Sequence, residues 1–221
     1  RLVLLEAFYR TGGIGQPLGP AQRRFRTESL EAYWAQVDRL QADLDPARES
    51  LGIVAHSVRA ASPDEIAALQ DEALRRGLPF HMHVEEQRQE ISECEAAWGD
   101  RPMALLNRLF PTARNVTAVH CTHTAPDDLE TFLAADGTVC VCPLTEANLG
   151  DGIPNLEAAR RRGARVCLGT DSNARIAMPE EMRWLEYGQR LSRETRGVLR
   201  PDDGYVARQL LASAPIVGAA A

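Results

Sequence analysis

The chain has 221 residues, of which 44% are hydrophobic and 25% charged, and its 25 basic and 31 acidic side chains give a net charge of −6. This composition is typical of a folded globular protein and excludes a largely disordered or collagen-like chain. The acidic balance gives no support for a nucleic-acid partner, and no apolar run approaches the roughly 18 residues of a membrane helix. Five cysteines, an odd number, favour reduced thiols and a cytoplasmic location over a disulfide framework.

Short apolar runs alternate along the chain with longer amphipathic segments. The apolar runs predict six strands, at 2–8, 51–54, 79–84, 116–119, 138–141 and 164–168. The amphipathic segments predict helices at 27–44, 62–76, 101–110, 125–134, 155–162, 179–191 and 200–212. Thr27 is the expected N-cap of the first helix, while Ser62 and Gly77 mark the beginning and the end of the second.

This alternation predicts an α/β fold with parallel strands. Successive strands begin about 20 to 50 residues apart, which leaves room for a crossover helix between them. Strands that are almost continuously Val, Leu and Ile indicate a sheet covered on both faces. Two architectures fit, an incomplete (β/α)8 barrel of the TIM type and a doubly wound open sheet. The lack of a Gly-x-Gly-x-x-Gly turn after a strand counts against the dinucleotide-binding form of the second.

The histidines are concentrated at one kind of position. All five lie within a predicted strand or just after its C-terminal end, and Asp171 follows the last predicted strand in the same way. The five are His56, His81, His83, His120 and His123. Because active sites of (β/α)8 barrels are built at the C-terminal ends of the strands, this placement predicts a catalytic or metal-binding site.

The segment from His81 to Glu86 carries the strongest chemical signal. Strand side chains alternate, so His81 and His83 share one face, and Glu86 follows where the strand ends. Neutral imidazoles bind divalent metals, and a nearby carboxylate can move protons. The alternative is a pair of hydrogen-bonded core histidines, but the other strand-end residues favour a metal-binding or catalytic role.

Three later positions are candidates for the same site. Asp171, in Gly-Thr-Asp, could bind a cation and take a proton from its water, or could cap a helix. His120 could ligate a metal or donate to charge that develops on the attacked atom. His123 is expected to cap a helix or to support a neighbouring ligand.

Arg59 is a candidate for substrate binding, whereas the cysteines are not candidates for the site. Arg59 offers a two-pronged donor for a carboxylate, and a surface salt bridge is the alternative. The motif Cys140-x-Cys142 has no matching pair elsewhere, so we interpret these two residues, like the other cysteines, as part of the core.

As an ordered set, His83-x-x-Glu86, His120 and Gly-Thr-Asp171 resemble the amidohydrolase superfamily, metal-dependent hydrolases on a (β/α)8 barrel. The resemblance covers about residues 2–212. Within the superfamily, the motifs are most similar to those of the deaminase branch. Flanking residues, including His56-Ser-Val-Arg59, are similar to enzymes of histidine degradation that hydrolyse N-formimino-L-glutamate to N-formyl-L-glutamate and ammonia. A sister deaminase acting on a purine, pterin or triazine ring is one alternative, and an inactive truncated barrel is another.

The resemblance implies a role for each matching residue. His83 and Asp171 would bind one divalent metal ion, expected to be zinc, and Asp171 would also take the proton of the attacking water. Glu86 would shuttle a proton, and His120 would polarise the substrate.

The resemblance also implies how substrate is held. His56, Arg59 and His120 would bind a small molecule that carries carboxylates, with Arg59 taking a carboxylate. Members of the superfamily often form dimers, so a homodimer is the expected assembly.

The chain departs from the superfamily in what it lacks. The family's first strand carries a further His-x-His that completes the metal site, and a small β-sandwich accompanies the barrel; neither is present. The chain also begins at Arg1, inside an apolar run. We therefore expect residues 1–221 to be a partial catalytic barrel, containing strands three to eight, from a longer protein.

Overall fold

A computed structural model of the chain describes residues 2–172, 175–202 and 204–213. Helices and strands alternate through it, as the sequence predicts. The chain divides into two compact units, one formed by residues 1–83 and 89–111 and the other by residues 84–88 and 112–221.

The first unit carries parallel strands that pair in chain order. Its elements are β1 (Leu2–Phe8), α1 (Leu30–Asp43), β2 (Glu49–Ala55), α2 (Pro63–Arg76), β3 (Phe80–Val84), α3 (Arg88–Trp98) and α4 (Pro102–Leu109), with a 3₁₀ turn at Arg23–Phe25. Strand β1 pairs with β2 along its whole length, from Leu2 opposite Glu49 to Phe8 opposite Ala55, and β2 pairs with β3.

The second unit repeats the same pattern. Its elements are β4 (Val116–His120), α5 (Pro126–Ala134), β5 (Thr138–Val141), α6 (Pro143–Leu149), α7 (Glu157–Arg162), β6 (Val166–Leu168), α8 (Met178–Arg193) and α9 (Val206–Ser213). Strand β5 pairs in parallel with β4 and with β6, and Cys140 lies opposite Cys167. None of the described helices is both long and apolar enough to cross a membrane.

Helix α2 shows how local sequence sets an element. The Ser62 side chain accepts from the backbone of Glu65, whose carboxylate accepts in return from the Ser62 backbone, and Pro63 follows at the first helical position. Gly77 ends the helix in the left-handed conformation, with φ of 69°. Near that end, Glu72 accepts hydrogen bonds from both Arg75 and Arg76.

The prediction of Thr27 as the first N-cap is wrong. Helix α1 begins at Leu30, and the Ser29 hydroxyl accepts from the backbone N–H of Ala32 at 3.2 Å. The Thr27 hydroxyl instead accepts from the backbone N–H of Tyr9 at 3.1 Å, so it is used to tie the chain back to the end of β1.

The other differences concern helices. Sequence analysis assigns no helix to α3 or α6, although both are formed. The last helix, predicted from residue 200, begins at Val206. The six strands are confirmed, with boundaries that shift by at most two residues.

Candidate functional site

In the first unit, the backbone of His56 holds the ring of His83. The carbonyl oxygen of His56 lies 2.7 Å from Nδ1 of His83 and also accepts the His83 backbone N–H at 3.1 Å. A carbonyl oxygen can only accept, so Nδ1 carries the hydrogen, and in the neutral imidazole Nε2 presents its lone pair. Metal-binding histidines are typically oriented in this way, with the second ring nitrogen donating to a carbonyl or carboxylate.

Strand β3 presents its two histidines as the alternation predicts. Phe80, Met82 and Val84 are fully buried, whereas His81 and His83 between them are only partly buried. The two imidazoles therefore share the face opposite the buried residues.

His56 lies directly after β2 in an enclosed setting. Its Nδ1 lies 3.1 Å from the hydroxyl oxygen of buried Ser57, and the ring of Tyr9 packs edge-on against it with centroids 4.6 Å apart. Burial, followed by the charges of His83 and Arg59, lowers the pKa of His56 to about 3. The imidazole is therefore neutral near pH 7 and interacts with a ligand by hydrogen bonding.

Arg59 faces a buried carboxylate on α3. Its Nε lies 3.9 Å from Oε2 of Glu90, whose side chain is 0% exposed, while the Arg59 side chain is 29% exposed. The buried charge holds the guanidinium at the end of β2 and leaves part of it open to solvent. Glu90 escaped the sequence analysis because α3 was not predicted.

In the second unit, the chain after β3 runs beside the end of β4. The backbone N–H of Cys121 donates to the carbonyl of Val84 at 3.0 Å, and that of His123 donates to the carbonyl of Glu85 at 3.1 Å. His120 and Cys121 both have left-handed backbone, with φ of 73° and 54°. These contacts hold Glu86 next to the last residue of β4.

Three predicted catalytic residues meet around the His120 ring. Its Nε2 lies 3.7 Å from Oε1 of Glu86 and 3.7 Å from Oδ2 of Asp171. The ring is 1% exposed, whereas the carboxylate side chains of Glu86 and Asp171 are 13% and 24% exposed. A buried imidazole with two solvent-reaching carboxylates is an arrangement that can move protons.

A residue that the sequence analysis missed holds the other side of this ring. Oε1 of Glu146, on α6, lies 3.2 Å from Nδ1 of His120 and accepts the backbone N–H of Cys142 at 3.0 Å. Burial raises the pKa of Glu146, although the hydrogen bonds from His120 and Cys142 oppose the shift. Burial alone would lower the pKa of His120, but its hydrogen bond with Glu146 and the charges of Glu86, Glu146 and Asp171 raise it.

Helix α6 is held at both ends. The carboxylate of buried Glu181, on α8, accepts the backbone N–H of Leu144 at 2.9 Å. Gly150 ends the helix with φ of 74°. Pro143 at its start and Gly150 at its end are the sequence signals that could have revealed this helix.

The interpretation of Cys142 as a core residue is confirmed, and its sulfur also lies near two of the predicted catalytic residues. Cys142 is buried, but one donor atom each from Cys142, His120 and Asp171 lie within 4.8 Å of one another. A Cβ added at Gly169 would lie 3.0 Å from the Cys142 sulfur, so the glycine leaves room for it. Cys94, Cys121 and Cys167 are buried as expected.

The donor chemistry fits the divalent metal ion that the family resemblance implies. In the first unit, His83 has the hydrogen-bonded Nδ1 that is common among zinc ligands. In the second unit, Asp171 offers a carboxylate beside buried His120. Imidazole nitrogen and carboxylate oxygen are both ligands of catalytic zinc sites.

The amino-acid sequence is similar to those of known proteins. A family model described as "Amidohydrolase family" matches residues 4–221. Formimidoylglutamate deiminase of Pseudomonas aeruginosa is 38% identical over 99% of the chain, and 5-methylthioadenosine/S-adenosylhomocysteine deaminase of Desulfovibrio desulfuricans is 37% identical over 74%. The chain spans only 48% and 36% of the lengths of these two relatives.

Solved structures show the same relationship. An amidohydrolase from Brucella melitensis matches 99% of the chain and 48% of its own, with a TM-score of 0.92 and 32% identity. A zinc-bound adenosine deaminase from Xanthomonas campestris matches 98% of the chain and 46% of its own, with a TM-score of 0.78 and 21% identity, a likeness of fold alone. The predicted fold class, an α/β fold that forms part of an amidohydrolase (β/α)8 barrel, is therefore confirmed.

Proposed function

Because the chain belongs to the amidohydrolase family, we propose that the full-length protein containing it hydrolyses N-formimino-L-glutamate to N-formyl-L-glutamate and ammonia. The observation that carries this proposal is the 38% identity to formimidoylglutamate deiminase, which extends over 99% of the chain. The similarity to 5-methylthioadenosine/S-adenosylhomocysteine deaminase covers 74% and makes ring deamination the second candidate.

The substrate-binding role is assigned to the end of β2. N-Formimino-L-glutamate carries two carboxylates, and Arg59 can bind one of them with two parallel hydrogen bonds. Glu90 orients the guanidinium from the buried side. His56 is neutral near pH 7, so it adds a hydrogen bond without adding a second positive charge.

The metal-binding role is assigned to His83 and Asp171, with zinc as the expected ion. A bound divalent ion supplies a water molecule whose pKa is lowered toward neutrality. On His83, the hydrogen bond from Nδ1 to the His56 carbonyl directs Nε2 to serve as the donor.

The proton transfers are assigned to the cluster around His120. Asp171 accepts the proton of the attacking water, and Glu86 delivers a proton to the departing nitrogen so that it leaves as ammonia. His120 donates from Nε2 to the charge that develops on the substrate, while Glu146 keeps its ring in place. General acid–base help of this kind is typically worth about 10² to 10⁴ in rate.

A substrate comparison with the full-length protein tests the proposal. We expect ammonia and N-formyl-L-glutamate to be released in equal amounts from N-formimino-L-glutamate. Turnover of 5-methylthioadenosine, S-adenosylhomocysteine, guanine or a triazine in its place would favour the sister deaminase. Failure of the metal-loaded protein to act on any of these compounds would favour the inactive barrel.

A further inference from the structure

Cys142 adds a soft donor to the two catalytic candidates His120 and Asp171. The three donor atoms lie within 4.8 Å of one another. We propose that these three residues form a binding site for a thiophilic divalent cation, such as Cd²⁺ or excess Zn²⁺, that blocks the enzyme when occupied. The site uses a donor, the Cys142 sulfur, that has no part in the proposed hydrolysis.

One carboxylate oxygen positions two of the three proposed metal-binding residues. Oε1 of Glu146 accepts from Nδ1 of His120 at 3.2 Å and from the backbone N–H of Cys142 at 3.0 Å. The His120 ring therefore presents Nε2, which lies 3.7 Å from Oδ2 of Asp171. A histidine whose second nitrogen is held by a carboxylate is a common support for a metal ligand.

Gly169 allows the sulfur of Cys142 to lie close to the backbone that leads to Asp171. Gly169 has no side chain, and an added Cβ there would approach the sulfurs of both Cys142 and Cys140, at 3.0 and 3.2 Å. Asp171 is 24% exposed in its side chain, so the cluster has a route from solvent. Asp171 also has two carboxylate oxygens, and the one that faces His120 can serve this site.

The set of nitrogen, sulfur and oxygen donors suits Zn²⁺ and Cd²⁺, since thiolates favour soft ions. On binding, the Cys142 thiol and Nε2 of the protonated His120 ring each lose a proton to solvent. The sulfur, Nε2 and the Asp171 carboxylate then each donate an electron pair to the cation. A water molecule, or the nearby Glu86 carboxylate, can complete four-coordination. The ion would then occupy the Nε2 and carboxylate atoms that the proposed hydrolysis needs, and this inhibitory effect rests on the proposed function.

The test uses the full-length protein with its resident metal in place, titrated with CdCl₂. We expect about one additional cadmium ion per chain by elemental analysis, together with the ultraviolet charge-transfer band of a cadmium–thiolate bond. Cys142→Ser should lose both, and Cys142→Ala serves as a second variant if the serine protein folds poorly. Cys94→Ser, which alters a buried thiol in the first unit, should retain both.

Two results would overturn the proposal: no thiolate band in the wild-type protein, or a band that persists in Cys142→Ser. A band that disappears in Cys140→Ser or Cys167→Ser while it persists in Cys142→Ser would place cadmium on the neighbouring thiols instead. Relative to its own uninhibited rate, Cys142→Ser should need at least about tenfold more cadmium for half-inhibition. Absence of turnover would reject the proposed function, while the spectroscopic result would still decide the metal site.

Discussion

The carbonyl oxygen of His56 accepts two hydrogen bonds from His83, one from its ring and one from its backbone. A proposed substrate-binding residue thereby sets the tautomer of a proposed metal ligand through its backbone alone. Replacement of the His56 side chain would leave that carbonyl in place.

His83→Ala in the full-length protein should reduce metal affinity by at least about 100-fold, because the oriented Nε2 donor is lost. His81→Ala is the matched control, since it removes an imidazole from the same strand and face. Elemental analysis after dialysis against increasing concentrations of a chelator measures the metal affinity of each variant. An equal loss of metal from the two variants would contradict the assignment of His83 as the specific ligand.

Glu86→Gln should retain the metal and lose turnover by about 10² to 10⁴, because the amide cannot carry a proton to the leaving nitrogen. Metal analysis and a continuous ammonia assay give the two quantities. Normal turnover in this variant would remove Glu86 from the mechanism.

Arg59→Lys should raise KM for N-formimino-L-glutamate by about 10- to 100-fold, because an ammonium cannot reproduce the guanidinium fork. The value of kcat should change by no more than a few-fold. Arg10→Lys is the control, since Arg10 is a more exposed arginine of the same unit that pairs with Glu65. A loss confined to kcat would argue against a role in substrate binding.

Two substitutions at Glu146 separate its charge from its hydrogen bonds. Glu146→Gln keeps an oxygen that can accept from His120 and Cys142, so the fold should persist while kcat falls by about 10- to 100-fold. Glu146→Ala leaves a buried backbone N–H without its acceptor, which should cost about 1–3 kcal/mol in the free energy of unfolding. Urea unfolding measures the stability and steady-state kinetics measure kcat. Equal stability of Glu146→Gln and Glu146→Ala would contradict the stabilising role of the hydrogen bonds to Glu146.

Acid stability should depend on Glu72. Hydrogen bonds from Arg75 and Arg76 lower its pKa from 4.5 to about 2. Since the folded-state pKa is the lower one, the contribution to stability is complete above pH 4.5 and is lost as the pH falls toward 2. The difference in urea midpoint between the wild type and Glu72→Gln should therefore be largest near pH 7 and shrink in acid.

Salt provides the control for the Glu72 prediction. The ion pairs of Glu72 with Arg75 and Arg76 lie at the surface. Added NaCl should therefore reduce the difference in urea midpoint between the wild type and Glu72→Gln at neutral pH. A difference that is independent of both pH and salt would show that the glutamine destabilises the helix for another reason.

The strands and the strand-end residues were predictable because each depends on short-range pattern. Apolar runs bounded by turn residues define β1 to β6, and parallel strands bring their carboxyl ends to one edge. That rule is enough to indicate His120 and Asp171 as neighbours, although it says nothing of the 3.7 Å between them.

The residues that escaped prediction depend on tertiary contacts. Glu146 lies on a seven-residue helix, too short for a clear helical period, and its importance comes from a ring 26 positions earlier in the chain. The donor role proposed for Cys142 depends on Asp171, which lies 29 positions later in the chain and is brought close to it by the fold. Thr27 and Ser29 are both good N-caps, and the choice is made by the contact of Thr27 with Tyr9.

His120 and Cys121, at the end of β4, both have a left-handed backbone conformation. At His120 this conformation lowers stability, while the side chain is needed for the proposed activity. Non-glycine residues in sparsely populated backbone conformations cost on the order of 1–3 kcal/mol each. Glycine at position 120 would relieve that strain, but it would also delete the imidazole around which Glu86, Glu146 and Asp171 are arranged. Selection for heat resistance alone would thus tend to erase His120, whereas selection for turnover would keep it.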